Sequence, residues 1–163
     1  MIDAILFYVF AALALLSALL VVGQRNPMYS AFALIVTLCS LSAIYGLLGS
    51  PFIAVLQIVV YAGAIMVLFL FVIMLLNVRR EDEGGGGGRG LGMAAGILTA
   101  VLVLEAGAVL LRAAVSPAPG FDASTRKMAE ILFSTQYLYV FEATSILILA
   151  ALVGSVALAK KDL

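Results

Sequence analysis

The constraint that outweighs every other in this sequence is a succession of five long apolar stretches: Ala4 to Val22, Met28 to Leu48, Phe52 to Val78, Leu91 to Leu111 and Tyr137 to Ala159. The first three hold no charged side chain, and the last two hold one carboxylic acid each, Glu105 and Glu142. A helix of about 20 apolar residues crosses a hydrocarbon layer about 30 Å thick, so each stretch can span. No water is available inside that layer to satisfy backbone N–H and C=O groups, which leaves helices or a closed barrel. The expected fold class is all-α: one polytopic membrane domain, residues 1–163, with five transmembrane helices. Composition agrees, because 11% of the residues are charged, whereas a soluble domain needs about 25%.

The ends of the stretches are punctuated. Gly23 and Gly49 are expected to end the first two helices in the left-handed conformation, Asn26 and Ser50 to cap the next ones, and Pro27 and Pro51 to occupy their first turns. Connections this short make the first three spans sequential antiparallel neighbours. The start Met1-Ile2-Asp3 lacks a basic region before its apolar run, so the first span is read as retained and not as a signal peptide. With the N-terminus outside, the inner side receives Arg25, Arg79, Arg80, Arg89, Lys160 and Lys161, and the outer side receives Arg112, Arg126 and Lys127. Cytoplasmic loops carry the excess of basic residues, so the expected orientation is N-terminus outside and C-terminus cytoplasmic.

Residues 79–90, with their run Gly84 to Gly88, read as a flexible cytoplasmic linker. A G-x-G-x-x-G pattern can be drawn through Gly85, Gly87 and Gly90, but it follows a membrane helix and not a strand, which removes the dinucleotide reading. The outer loop 113–136 contains Pro117 and Pro119 and then Thr125 to Phe133, which suits a short amphipathic helix lying at the interface.

The function classes excluded are broad. The chain has no His and one Cys, Cys39, so no internal disulfide and no Cys/His metal or haem site is expected. Zero net charge gives no basic footprint for nucleic acid. No nucleophile–base pair or phosphate cradle appears, so the chain is not expected to catalyse a reaction alone. What stands out is polar groups inside apolar helices, where they are costly. Tyr61, about 14 Å from the outer end of the third span, shares a face with Gln57, and Ala62, Gly63 and Ala64 thin the helix beside it. Such a stretch either packs a neighbouring backbone closely, with the phenol bonded to a carbonyl, or lets the hydrogen-bond ladder slip. Glu142 has Ser145 close by on its own helix, an arrangement that can hold water and relay protons or merely pack. Glu105 stands seven residues before Arg112, which can curl back toward it. Gly92 with Gly96, and Ala150 with Gly154, are small-residue pairs suited to helix packing.

The run Gln57-Ile58-Val59-Val60-Tyr61-Ala62-Gly63-Ala64-Ile65-Met66-Val67, continuing through Phe71-Val72-Ile73-Met74-Leu75-Leu76-Asn77, resembles the signature helix of the subunit J family of bacterial proton-pumping NADH-quinone oxidoreductase, respiratory complex I. The mitochondrial counterpart of that family is NADH dehydrogenase subunit 6. Asn26-Pro27 with its following span, and Phe141-Glu142, Ser145 and Leu147 to Leu158, resemble the family's second and last helices. The resemblance implies a π-bulge around Tyr61 to Ile65 in the third helix, whose conversion to regular α-helix turns the inner half. It makes Tyr61, Gly63, Val67 and Met74 gating candidates on a water path from the quinone cavity; Glu142 matches the family's Phe-Glu pattern and is a weaker proton-path candidate, while Glu105 matches no feature of the family and is a proton-path candidate only as an acid inside a span. It further implies an enzyme only as a subunit of the NADH:quinone translocase. FMN, iron–sulfur clusters and quinone would be carried by other subunits, the partners would be membrane-arm subunits of the A, H, K and N types together with lipid, and the location would be the bacterial inner (plasma) membrane. Left open beside this reading is an accessory helical subunit of a related cation/proton antiporter or membrane-bound hydrogenase complex. A small independent transporter is disfavoured, since no inverted repeat or broken helix with charged ligands is present.

Overall fold

A computed structural model describes residues 1–76, 89–115 and 122–160. The helices are α1 (Ile2–Gly23), α2 (Pro27–Leu47), α3 (Pro51–Leu56), a π-helical segment (Gln57–Ile65), α4 (Met66–Leu76), α5 (Arg89–Val115), α6 (Thr125–Leu132) and α7 (Leu138–Ala159). The segments α3, π and α4 run on as a single span, Pro51–Leu76. Among the described residues there are five helices long and apolar enough to cross a membrane and no strand. The glycine run of the linker, the two loop prolines, Arg79, Arg80 and Lys161 lie outside the described residues. Where it is described, α5 exceeds the expected fourth span at both ends, because nothing between Arg89 and Val115 breaks a helix.

The two hairpins are closed differently, and two expectations need correction. Gly23 is still helical, and the chain leaves α1 through an extended Gln24 (φ −80°, ψ 130°), so no left-handed stop is used there. Asn26 does cap α2: its Oδ1 accepts the Met28 N–H at 3.0 Å. At the second turn Gly49 takes φ +77°. The Ser50 N–H then donates to the Tyr45 carbonyl and the Gly49 N–H to the Gly46 carbonyl, the paired bonds of a Schellman turn. Ser50, held by that turn at φ −112° and ψ 64° and not in the extended conformation of the Asn26 cap, precedes α3 without a capping bond from its side chain. Pro27 and Pro51 stand at the first helical positions as expected.

Packing within the chain is concentrated on α2, which lies between α1 and the third span. The α1–α2 contact is made by small residues, with Ala14, Ser17 and Ala31 buried, as expected where close backbone approach replaces hydrophobic drive. The Ser17 and Thr37 hydroxyls share a 2.8 Å hydrogen bond across it. Ser30 Oγ donates to the Val21 carbonyl at 2.6 Å, which satisfies one of the carbonyls left over at the end of α1. By contrast, no described residue of α5 or α7 is buried.

The short α6 carries Arg126, Lys127 and Glu130 on a polar side, where Glu130 pairs with Arg126 at 3.2 Å and Lys127 at 3.4 Å. Its apolar Met128 and Leu132 line a wholly apolar cavity of 510 Å³ together with Phe52, Phe133, Tyr137 and Phe141. The helix starts at an ordered turn in which the Ser124 N–H donates to Asp122 Oδ1 at 2.9 Å. That bond holds the Asp122 carboxyl below its usual value of 3.8. The turn is therefore fully supported above the usual carboxylate range and loses that support as pH falls through the lowered value.

The Ser17–Thr37 bond gives a direct test of how the first hairpin is held. A double-mutant cycle of Ser17→Ala and Thr37→Val, read by unfolding in bilayers, is expected to show a coupling of about 0.6 kcal/mol and no more than about 1.7 kcal/mol. A coupling of zero would remove the bond from the account of the hairpin.

Candidate functional site

The third span has 26 residues; at about 1.5 Å each it reaches roughly 39 Å, longer than a typical hydrocarbon core. Its middle is wound as π-helix over nine residues, Gln57–Ile65. The expected bulge around Tyr61 to Ile65 is therefore present, but the π winding begins four residues earlier, at Gln57. At its far end the Met66 N–H reaches back to the Tyr61 carbonyl, five residues away, as well as to Gly63. Well under 1% of residues in globular proteins are π-helical, and such turns are frequent at functional sites.

Small residues make this winding possible. A Cβ placed on Gly63 would stand 3.2 Å from the Ile58 carbonyl oxygen, so a larger residue there forces that carbonyl to give by a few tenths of an ångström. Ala62 and Met66 are the buried members of the stretch, and α2 is the helix packed against it. Tyr61, Val67 and Met74 are all exposed. Val67 and Met74 lie seven residues apart, on one face of α4. The Tyr61 phenol makes no hydrogen bond to a described residue, so no carbonyl among them accepts from it. A phenol left in hydrocarbon without a partner is costly, so water or a group outside the described residues has to supply one.

The six candidate residues thus divide. Tyr61 and Gly63 sit in the π segment and Val67 and Met74 on the helix that continues it, whereas Glu105 lies on α5 and Glu142 on α7. Both acids are exposed, and no ion pair joins Glu105 to Arg112. The Ser145 hydroxyl donates to the Phe141 carbonyl at 3.0 Å, so it is not bonded to Glu142. Gly96 and Gly154 have nothing within 4 Å of where a Cβ would stand, so those two small residues pack against no other helix among the described residues. No group of three or more His, Cys, Asp or Glu among the described residues is placed to hold a metal ion.

Sequence reading passed over Ser42. It is buried in α2 and its Oγ donates to the Ala54 carbonyl at 2.6 Å, one turn before the π segment. The signal was available, since a hydroxyl inside an apolar run needs an acceptor as much as a phenol does.

The family described as NADH-ubiquinone/plastoquinone oxidoreductase chain 6 matches residues 17–158. This chain belongs to that family. It is 38% identical to NADH-quinone oxidoreductase subunit J of Pseudomonas aeruginosa over 159 residues, 96% of each chain. It is 39% identical over 164 residues to NAD(P)H-quinone oxidoreductase subunit 6 of the organellar chromatophore of Paulinella chromatophora, covering 99% of this chain and 80% of that one. A third relative, subunit J of Rhodobacter capsulatus, is 34% identical over 93% of this chain and 79% of its own.

Gly63 provides a structural test that needs no activity. Alanine is favoured over glycine in a regular α-helix by about 1 kcal/mol, and its Cβ would crowd the Ile58 carbonyl. Gly63→Ala is expected to move residues 57–65 from π toward α winding, read from backbone chemical shifts of the reconstituted chain. Unchanged shifts would show that Gly63 does not permit the winding.

Proposed function

We infer that this chain is a membrane-arm subunit of a proton-translocating NADH:quinone oxidoreductase and that its third span gates the proton path near the quinone cavity. The observation that carries the reading is the π segment Gln57–Ile65 at the centre of a membrane span, with a phenol in it that bonds to none of the described residues. A ladder wound partly as π has a near neighbour in energy, the regular α ladder, reached by slipping one residue. The slip turns everything beyond it by about 100° and advances it by about 1.5 Å. Val67 and Met74 would swing with it and change which apolar side chains line the path, while Tyr61 supplies a hydroxyl that water can use. Such a part opens and closes proton connectivity and needs no redox centre. FMN, iron–sulfur clusters and quinone belong to other subunits in this reading, and the A, H, K and N type subunits meet the faces that α5 and α7 leave open. The proposed setting is a bacterial plasma membrane, with the N-terminus outside and the C-terminus cytoplasmic. The names of the relatives support the NADH-quinone assembly over an antiporter or hydrogenase complex.

Gly63→Leu places a branched side chain where the π ladder needs none. In the assembled complex it is expected to cut quinone-linked proton pumping while leaving NADH oxidation by artificial acceptors intact. Normal pumping and quinone reduction in that complex would sink the gating reading. Glu142→Gln and Glu105→Gln separate charge from shape. Glu142→Gln is expected to lower the protons moved per NADH and Glu105→Gln to leave the ratio unchanged; an unchanged ratio in Glu142→Gln returns that acid to a packing role.

A further inference from the structure

A buried hydroxyl must find an acceptor, and within a helix the usual one is the carbonyl four residues back. Thr37 and Ser40 follow that pattern, donating to Ala33 at 3.0 Å and Val36 at 2.8 Å. Ser42, 3% exposed, does not. Its Oγ crosses to the third span and donates to the Ala54 carbonyl at 2.6 Å. Gly46 faces the same residue, since a Cβ there would lie 4.0 Å from the Ala54 Cβ. One turn earlier the Ser50 N–H is bonded to Tyr45 in the Schellman turn. The outer piece α3 is thereby tied to α2 at two successive turns, and the second tie ends three residues before the π winding starts at Gln57. Beyond that point the attachment changes character. No hydrogen bond from α2 reaches residues 57–76, whose hold on α2 is the burial of Ala62 and Met66.

A one-residue slip in the middle of a helix produces relative rotation, and the attachments of the two ends decide how it is shared. We propose that Ser42 is the positioning residue that holds α3 against α2, so that the turn produced by the π segment is delivered to α4 with its Val67 and Met74. The proposal rests on the gating reading above and assigns the fixed side of the gate. Without the Ser42 bond, α3 takes up part of the rotation, and changes in winding no longer move α4 by a full residue's turn. Hydroxyl bonds between membrane helices are worth a factor of about three and at most about twenty in an equilibrium. Loss of this one is expected to weaken coupling without abolishing assembly.

The test uses the whole complex in vesicles, with NADH oxidation by an artificial acceptor as the measure of assembly. Ser42→Ala is expected to retain quinone reduction while protons moved per quinone reduced fall by about threefold. Threonine and valine share a shape and differ in the hydroxyl. Ser42→Thr is therefore expected to restore the ratio, and Ser42→Val is not. A native ratio in Ser42→Ala, or equal ratios in the Thr and Val variants, overturns the assignment. A proportional loss of quinone reduction and pumping also overturns it, because that is what damage to packing alone produces. Gly63→Leu separates the two ideas. If it uncouples while Ser42→Ala does not, Ser42 alone is wrongly assigned; if it pumps normally, the gating reading and the Ser42 assignment fail together.

Discussion

The structure depends on one constraint: within hydrocarbon every backbone N–H and C=O must be bonded inside the protein. For most of the chain the α-helical ladder meets it. In the third span a π segment, Gln57–Ile65, interrupts that ladder, and at its end the Met66 N–H reaches the Tyr61 carbonyl, five residues back. Going from the π to the α ladder slips the pairing by a whole residue. A polar, hydrated setting would let such a segment relax through water. In the gating proposed for this chain, the membrane would make it a two-position part.

The same constraint explains what fastens the helices. No ion pair joins two membrane helices among the described residues, and the inter-helix bonds are hydroxyl bonds: Ser30 to Val21, Ser17 with Thr37, and Ser42 to Ala54. Two of the three end on backbone carbonyls. A hydroxyl can hold a carbonyl without removing it from its own ladder, because the oxygen has a second lone pair. That economy suits a span whose ladder must stay complete while it is held. All three bonds involve α2, which makes α2 the frame against which the third span is positioned.

How much of this was legible in the sequence depended on whether a residue's partner was local. Spans, hairpins, the Asn26 cap, the Gly49 turn and the amphipathic α6 follow from residues within a few positions of one another, and they were read correctly. Gly23 failed because a left-handed stop is one of several ways to leave a helix, and here the extended Gln24 leaves through another. Ser50 failed because its backbone, not its side chain, closes the turn. The π winding was foreshadowed by Ala62, Gly63 and Ala64, but nothing in the apolar run before them marks its start at Gln57. The Ser42–Ala54 bond needed the register between two helices, which uniform apolarity hides. When every face of a helix is apolar, periodicity carries no information about which face meets which neighbour.

The same uniformity accounts for α5 and α7. None of their described residues is buried, Gly96 and Gly154 have nothing within 4 Å of where a Cβ would stand, and the acids Glu105 and Glu142 find no partner among the described residues. In water such surfaces would collapse onto the rest of the molecule. Lipid tails are as apolar as leucine, so no hydrophobic force drives these helices onto α1 to α4. Only specific close packing or hydrogen bonds can do so, and among the described residues no hydrogen bond and no buried side chain of α5 or α7 ties them to α1 to α4. An ionisable carboxyl in a span cannot be left facing lipid without large cost. The faces that carry Glu105 and Glu142 must therefore meet water or protein, and the described residues of this chain do not cover them.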